Sequence, residues 1–255
     1  MGGKLARIAF DRLPRVEAEV VGAETSDSSA ERAHAAARPS LRAVEWSAML
    51  AASAAVLVAS YTGAWSVSVA EAWGFATGGV CVWLVVREHV WNWPIGMANN
   101  VFFFVLFLES RLFADMALQV VYFGLAVFGW WNWLRGGAQH GRLGITRASR
   151  RELAGLVVVL VVGTLALRRI LIELEDAAPF WDASTTVLSL VAQYLLSRKR
   201  LENWWFWLAA DLIYVPLYVG RGLPLTALLY GVFLVLCVVG VRAWSRTFRV
   251  ESGAV

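Results

Sequence analysis

Eight apolar runs, separated by short polar segments, make up most of the chain after its first forty residues. The runs cover about residues 44–62, 70–86, 93–108, 113–134, 153–171, 183–196, 204–219 and 225–244. Most approach the roughly 20 residues that a helix needs to cross a bilayer, and the two-residue alternation of barrel strands is missing from the sequence. The pattern predicts an all-α polytopic membrane protein.

Composition supports this prediction, since 59% of the 255 residues are hydrophobic, only 16% are charged, and the mean hydropathy is +0.59. A soluble domain could not hide that much apolar surface. Residues 1–43 are polar and Ala-rich, and we expect a mostly disordered cytoplasmic tail there. Much of the arginine that makes up the net charge of +4 lies between the apolar runs, so the charge does not indicate nucleic-acid binding.

The basic residues indicate how the chain is oriented. They concentrate in segments that alternate runs would place on one side of the membrane: Arg87; Arg135, Arg142, Arg147, Arg150 and Arg151; Arg198, Lys199 and Arg200; and Arg242, Arg246 and Arg249. Positively charged loops face the cytoplasm, so this side is predicted to be cytoplasmic. We expect residues 44–62 to span as well, which places both termini in the cytoplasm, with 245–255 as a second tail; if they do not span, the N-terminal tail must cross the membrane.

The chain repeats itself at an offset of 111 residues. Without gaps, this register aligns several residues that chance matches between apolar helices would not produce: Arg87 with Arg198, Asn92 with Asn203, Trp93 with Trp204, Gly129 with Gly240, and Trp133 with Trp244. The repeat predicts two parallel three-helix bundles, 70–134 and 182–244, joined by a linker helix at 152–172, with 44–62 as an extra N-terminal helix. Transporters built from such repeats hold their substrate between them, near the midplane.

The run at 204–219 carries the most informative face of the chain. Trp204, Trp207, Asp211, Tyr214 and Tyr218 are spaced three, four, three and four residues apart, so they share one side of a helix. A carboxylate at membrane depth is costly and therefore marks a candidate functional site. Aromatic rings beside a carboxylate suit a flat cationic or heteroaromatic ligand, through stacking and cation–π attraction.

Other apolar runs add polar side chains to this candidate site: Asn99, Asn100, Gln119, Tyr122 and Gln193. For Asn99, Gln119 and Asp211 we favour a water-filled cavity between the bundles. The alternative is that polar groups simply bond each other between helices, and this is the preferred interpretation for Thr185, Thr186, Ser189 and Thr226.

The tryptophans and cysteines have simpler interpretations. Six tryptophans lie at the ends of runs, where we expect interface anchors: Trp91, Trp93, Trp130, Trp131, Trp133 and Trp244. Cys81 and Cys237 are expected to be packing residues. The sequence contains no catalytic or metal-binding motif, so we predict neither cofactor nor metal. A membrane-embedded enzyme using Asp211 and Glu71 is an unfavoured alternative.

Long segments of the chain resemble one transporter family. WNWPIGMANNVFFF, LFADMALQVVYF and GWWNWL in the first half resemble PnuC-type nicotinamide riboside transporters, as do PFWDASTTVLSLVAQYLLSRKRLENWWFWLAADLIY and LTALLYGVF in the second. The resemblance covers about Glu71 to Trp244. It implies a fold related to SWEET transporters, a homotrimer in the plasma (inner) membrane, and facilitated uptake of nicotinamide riboside, which phosphorylation traps for NAD synthesis.

The resemblance also implies roles for particular residues. The WxxW element of the family falls on Trp204 and Trp207, and its amide positions fall on Asn99 and Gln119. Other members of the family carry thiamine or riboflavin, and these vitamins are alternative substrates. An accessory subunit that depends on an ATPase partner is a further alternative, which the complete repeat disfavours.

Overall fold

The computed structural model describes residues 41–63, 69–109, 113–220, 222 and 224–253. Their secondary structure consists of eight α-helices and one short 3₁₀ turn, Ala138–His140. The helices are α1 (Leu41–Tyr61), α2 (Val69–Val86), α3 (Asn92–Glu109), α4 (Phe113–Arg135), α5 (Arg150–Glu173), α6 (Pro179–Ser197), α7 (Asn203–Gly220) and α8 (Pro224–Glu251). The prediction of an all-helical fold is confirmed for this part of the chain.

The chain divides into two units, residues 1–50 and 51–255. The described part of the first unit is the N-terminal half of α1, and the tail predicted to be disordered otherwise lies outside the described residues. The second unit holds the remaining helices. By length and composition, two stretches of its described residues could each cross a membrane, Arg150–Glu173 and Thr226–Glu251.

Local sequence signals explain several helix ends. Ser149 caps α5 by accepting a hydrogen bond from the backbone N–H of Glu152, so the sequence SRRE provides the hydroxyl half of a capping box. Pro179 opens α6, where a missing N–H costs little. The apolar face of α5 is largely exposed, including Val158, Val162 and Leu165, as expected for a helix in contact with lipid.

Helices α2 and α6 end in the same way, at positions 111 residues apart. Glu88 and Lys199 each follow their helix with a left-handed backbone, at φ of 54° in both. The next N–H groups then bond back into the helix, from His89 to the carbonyl of Leu84 and from Arg200 to that of Leu195. Each end is a Schellman motif, which usually has glycine at the left-handed position.

Two tryptophans bond reciprocally across the fold. The indole N–H of Trp133 in α4 donates to the carbonyl oxygen of Leu196 in α6 at 3.0 Å, and that of Trp244 in α8 donates to Val85 in α2 at 3.1 Å. Donors and acceptors are both 111 residues apart. α4 therefore packs on α6, and α8 packs on α2. Each of these contacts joins a helix of one predicted bundle to a helix of the other.

The rings of the same tryptophans form one buried cluster with Trp93 and Trp204. Trp93 meets Trp133 edge-on at 5.4 Å between centroids, and Trp204 meets Trp244 in the same way at 5.4 Å. The expectation that Trp93, Trp133 and Trp244 anchor the membrane interface is therefore wrong, because their exposed fractions are 4% or less. Packing between the bundles buries rings whose position in the sequence resembled that of anchors.

The segment between α4 and α5 crosses the end of the molecule where α2 and α6 finish. Thr146 exchanges backbone hydrogen bonds with Lys199 and Leu201, and Ala148 donates to the carboxylate of Glu202 at 2.8 Å. Arg200 pairs with Glu152 at 3.1 Å. This arrangement gathers the four basic segments of the sequence at one end of the second unit, which we call the basic end.

Candidate substrate cavity

One cavity of about 1160 Å³ is lined by residues of α2–α8, with α5 contributing Leu167 and Leu171. All nine candidate residues from the sequence line it: Asn99, Asn100, Gln119, Tyr122, Gln193, Trp204, Trp207, Asp211 and Tyr214. The structure thus brings together side chains from four helices, α3, α4, α6 and α7. Their role in binding stays a prediction, because a lining residue need not contact a ligand.

The charges of the lining have a single sign. Asp176, Asp182 and Asp211 line the cavity, whereas lysine, arginine and histidine do not occur among the described residues that line it. A cavity with carboxylates and no basic side chain attracts cations and repels anions. This asymmetry constrains the ligand more strongly than any single contact.

Asp211 is the most deeply placed of these carboxylates, with 2% of the residue exposed. The thiol of Cys237 donates to its Oδ2 at a sulfur–oxygen distance of 3.5 Å. A thiol is a weak donor and carries no positive charge, so this contact does not neutralise an ionised carboxylate. A cationic ligand would supply the missing countercharge.

The tryptophans of α7 close the cavity toward the basic end. The ring of Trp204 fits into a notch at Gly240, where an added Cβ would lie 2.4 Å from the ring, and 1% of the residue is exposed. Trp93 fits into the same kind of notch at Gly129. Trp204 is therefore a fixed wall, while Trp207, one turn further along α7, is only partly buried and is the better candidate for stacking against a ligand.

Three tyrosines cluster further along α7, away from the basic end. The ring centroids of Tyr214, Tyr218 and Tyr230 are 4.5–5.6 Å apart, and Tyr218 and Tyr230 are nearly parallel at 11°. Phe233 meets Tyr230 edge-on at 5.5 Å. The cavity is thus aromatic on both sides of Asp211 along the helix.

The amide side of the cavity is contributed by α3, α4 and α6. On the neighbouring α2, the hydroxyl of Thr77 has two acceptors for its single proton, the carbonyl oxygen of Trp73 at 2.6 Å and Oδ1 of Asn99 at 2.8 Å. The contact with Asn99 is an interhelical bond of the kind that the alternative interpretation expected for polar groups. The hydroxyl of Thr185 bonds to the carbonyl of Trp181 within its own helix, so it too has a structural partner.

Sequence reasoning missed several lining residues. Cys237 on α8 and Asp182 on α6 carry no pattern of their own, although the register pairs Cys237 with the buried Ala126 and Asp211 with Asn100. Both cysteines are free and line the cavity, and Cys237 is also part of the buried core, as the packing interpretation expects. Among the described residues, no three His, Cys, Asp or Glu side chains are grouped to hold a metal ion.

The Thr77–Asn99 contact gives a test of the amide side. Thr77→Val removes the hydroxyl while keeping the shape, so Asn99 loses a bond that orients its amide. We expect the dissociation constant of a ligand in the cavity, measured by titration, to rise about three- to tenfold, from a bond of about 1 kcal/mol. Thr77→Ser keeps the hydroxyl and should behave as wild type. Equal affinity in Thr77→Val and wild type would show that the Thr77 hydroxyl does not orient Asn99 for binding.

Comparison with known proteins defines the class. Residues 68–246 match the model of the nicotinamide mononucleotide transporter family, which covers most of the chain. The helices and the cavity are therefore those of a membrane transporter for a small molecule, and not those of an enzyme. The chain belongs to the nicotinamide mononucleotide transporter family, the family of PnuC.

Two curated relatives illustrate the range of the family. The nicotinamide riboside transporter PnuC of Escherichia coli (strain K12) is 28% identical over 218 residues, covering 75% of this chain and 91% of the relative. The riboflavin/roseoflavin transporter RibM of Streptomyces davaonensis is also 28% identical, over 183 residues, covering 70% of this chain and 85% of RibM. Similarity of this size does not separate the two substrates.

A solved structure has the same fold. The crystal structure of the vitamin B3 transporter PnuC superimposes with a TM-score of 0.62 at 23% identity, covering 82% of this chain and 92% of the other. At that identity the likeness concerns the fold.

Proposed function

We propose that this protein takes up nicotinamide riboside by facilitated diffusion, and that phosphorylation inside the cell traps the product for NAD synthesis. The observation that carries the proposal is a buried carboxylate, Asp211, in an aromatic cavity. The described residues that line this cavity include acidic side chains and no basic ones. Nicotinamide riboside has a flat pyridinium ring with a positive charge and a sugar rich in hydroxyls. Trp207 and Asp211 suit the ring, and the amides of Asn99, Asn100, Gln119 and Gln193 suit the sugar or the carboxamide.

The charge pattern favours the riboside over the mononucleotide for which the family is named. A phosphate group needs arginine, lysine or several backbone N–H donors, and it is repelled by nearby carboxylates. The described lining offers three aspartates and no cationic side chain. A nucleoside that carries only the pyridinium charge meets no such penalty.

Two other vitamins are alternatives, each with a reason. Thiamine is a flat cation and satisfies the same charge argument. Riboflavin is uncharged but aromatic, its transport is attributed by name to the relative RibM, and a cavity of about 1160 Å³ could admit its larger ring system. Direct comparison of the three compounds decides between them.

The test is a binding titration of the purified protein with nicotinamide riboside, thiamine and riboflavin, followed by uptake in liposomes. We expect nicotinamide riboside to bind at least tenfold more tightly than the others. Uptake by the purified protein alone would also exclude an accessory subunit that requires an ATPase. Tighter binding of riboflavin or thiamine would overturn the substrate assignment. Accumulation of unmodified substrate against its gradient would overturn facilitated diffusion.

Trp207→Ala and Gln119→Ala test the binding residues. Removing the stacking ring or the amide should raise the KM for nicotinamide riboside about tenfold each, corresponding to roughly 1–2 kcal/mol of lost contact. Trp205→Ala is the matched control, since Trp205 neighbours Trp207 but is 57% exposed and is not a lining residue. Wild-type uptake in both site variants, at equal expression, would remove them from the site.

We also propose the architecture predicted from the repeat. In it, α2–α4 and α6–α8 are parallel three-helix bundles, α5 joins them, and α1 is an additional helix. The reciprocal bonds of Trp133 and Trp244 and the matching ends of α2 and α6 support this proposal. We place the protein in the inner membrane with its basic end toward the cytoplasm, and both termini then lie on the cytoplasmic side. A homotrimer is part of the same proposal, and mass measurement in detergent or nanodiscs tests it.

A further inference from the structure

We propose that the ion pair between Glu88 and Lys199 is a latch that keeps the cavity closed toward the basic end and breaks when the cavity opens there. Lys199 Nζ lies 2.8 Å from Glu88 Oε2, and their side chains are 10% and 22% exposed. The two residues are equivalent in the 111-residue register, each being the left-handed residue that ends its helix. The proposal rests on the transport function proposed above, and its test measures access to the cavity.

The ammonium group of Lys199 joins three separate parts of the structure. Besides Glu88 after α2, it donates to the carbonyl of Leu143 in the α4–α5 segment at 2.9 Å. It also lies 5.0 Å from the ring centroid of Trp133 in α4, within cation–π range. Moving α2 away from α6 would break the contact with Glu88, and a movement of the end of α6 would also break the contacts of Lys199 with Leu143 and Trp133.

The pair belongs to the closed end of the cavity. Trp93 and Trp204 line that end and pack edge-on against Trp133 and Trp244. Val85 and Leu196, which accept the reciprocal indole bonds, also line the cavity and lie three residues before Glu88 and Lys199. An opening at the basic end must separate these contacts and the ion pair together.

The backbone at both residues indicates that the side chains matter. A left-handed conformation is unfavourable for residues with a Cβ, and glycine is usual at this place in a Schellman motif. Here glutamate occupies one of the two equivalent positions and lysine the other, although both backbone conformations are unfavourable for them. Glycine would relax the backbone but could not form the pair.

A charged pair of this kind suits a reversible closure. Because the side chains of Glu88 and Lys199 are only partly exposed, salt and water screen their attraction less than that of a surface pair. The ion pair therefore stabilises the closed arrangement. Once water enters, both charges are hydrated and the attraction falls, so the open arrangement is also accessible. A hydrophobic contact in the same place would not lose its attraction in this manner.

The two native cysteines provide the test. Both are free and line the cavity, so the rate at which a membrane-impermeant maleimide labels them reports access from the side where it is added. In proteoliposomes we expect Glu88→Gln and Glu88→Gly to raise labelling from the basic end about tenfold, a shift of about 1.4 kcal/mol in the opening equilibrium. The exchanged pair Glu88→Lys with Lys199→Glu should restore part of the protection.

A second ion pair serves as a matched control. Arg169 and Glu173 pair at 3.3 Å on α5, but their side chains are 77% and 66% exposed. Glu173→Gln should leave labelling unchanged. Unchanged labelling in both Glu88 variants would overturn the latch, as would a rise that is equal from the two sides and accompanied by a lower melting temperature, since the pair would then only stabilise the fold.

The labelling result is separate from the identity of the substrate. If nicotinamide riboside fails to protect the cysteines of the wild-type protein, the proposed function is in error. A tenfold rise in Glu88→Gln would still support the latch in that case. Protection by nicotinamide riboside without any effect of Glu88 would support the substrate and overturn the latch.

Discussion

Asp211→Asn is expected to reduce the uptake of nicotinamide riboside about thirtyfold or more. The substitution keeps the shape of the side chain but removes the negative charge that we propose faces the cationic ring, in a cavity whose described lining has no basic side chain. Losing one partner of a desolvated charge pair costs about 2–5 kcal/mol, which corresponds to that reduction or a larger one. Uptake of labelled substrate into proteoliposomes at several concentrations measures the loss in kcat/KM.

A neutral analogue provides the control for this prediction. The reduced dihydronicotinamide riboside has nearly the same shape but no pyridinium charge. Asp211→Asn should bind it as well as, or better than, the wild-type protein, because a buried carboxylate gains nothing from an uncharged ring. If the variant loses both compounds equally, Asp211 maintains the structure of the cavity and does not recognise charge.

Gly240→Ala is expected to destabilise the protein by about 1–3 kcal/mol. The added Cβ would lie 2.4 Å from the ring of Trp204, which cannot move away because Trp244 packs against it. At about 2–4 °C per kcal/mol for a chain of this size, the apparent melting temperature should fall by several degrees. Tryptophan fluorescence during a thermal ramp in detergent measures the shift.

The same helix provides a matched comparison for Gly240. Gly231 has no atom within 4 Å of an added Cβ, so Gly231→Ala should leave the melting temperature unchanged or raise it slightly. Gly129→Ala, where the added Cβ would lie 2.2 Å from Trp93, should resemble Gly240→Ala. Equal stability of Gly240→Ala and Gly231→Ala would show that the notch does not constrain Trp204.

The sequence predicted the candidate cavity well where residues follow one helix. Three- and four-residue spacing placed Trp204, Trp207, Asp211 and Tyr214 on one face, and all four line the cavity. The 111-residue register also found Gly129 and Gly240, without indicating why glycine is needed there. The reason is the ring of a tryptophan on another helix, and only tertiary packing reveals it.

Contacts between distant segments account for what the sequence did not predict. Trp133 and Trp244 looked like interface anchors, because burial depends on a neighbouring helix that local patterns do not specify. Tyr230 joins the tyrosine cluster from α8 with no spacing that links it to α7. Glu88 and Lys199 occupy the left-handed ends of α2 and α6, where glycine is usual. The reason we propose is the ion pair that the two side chains form with each other.

The indole bond from Trp244 to Val85 joins residues 159 positions apart, near the two ends of the second unit. During synthesis, the indole of Trp244 can therefore donate to the carbonyl of Val85 only after nearly the whole chain has left the ribosome. A truncation of α8 before Trp244 would remove this contact between α8 and α2. We infer that the contact between α2 and α8 at the basic end forms late in assembly.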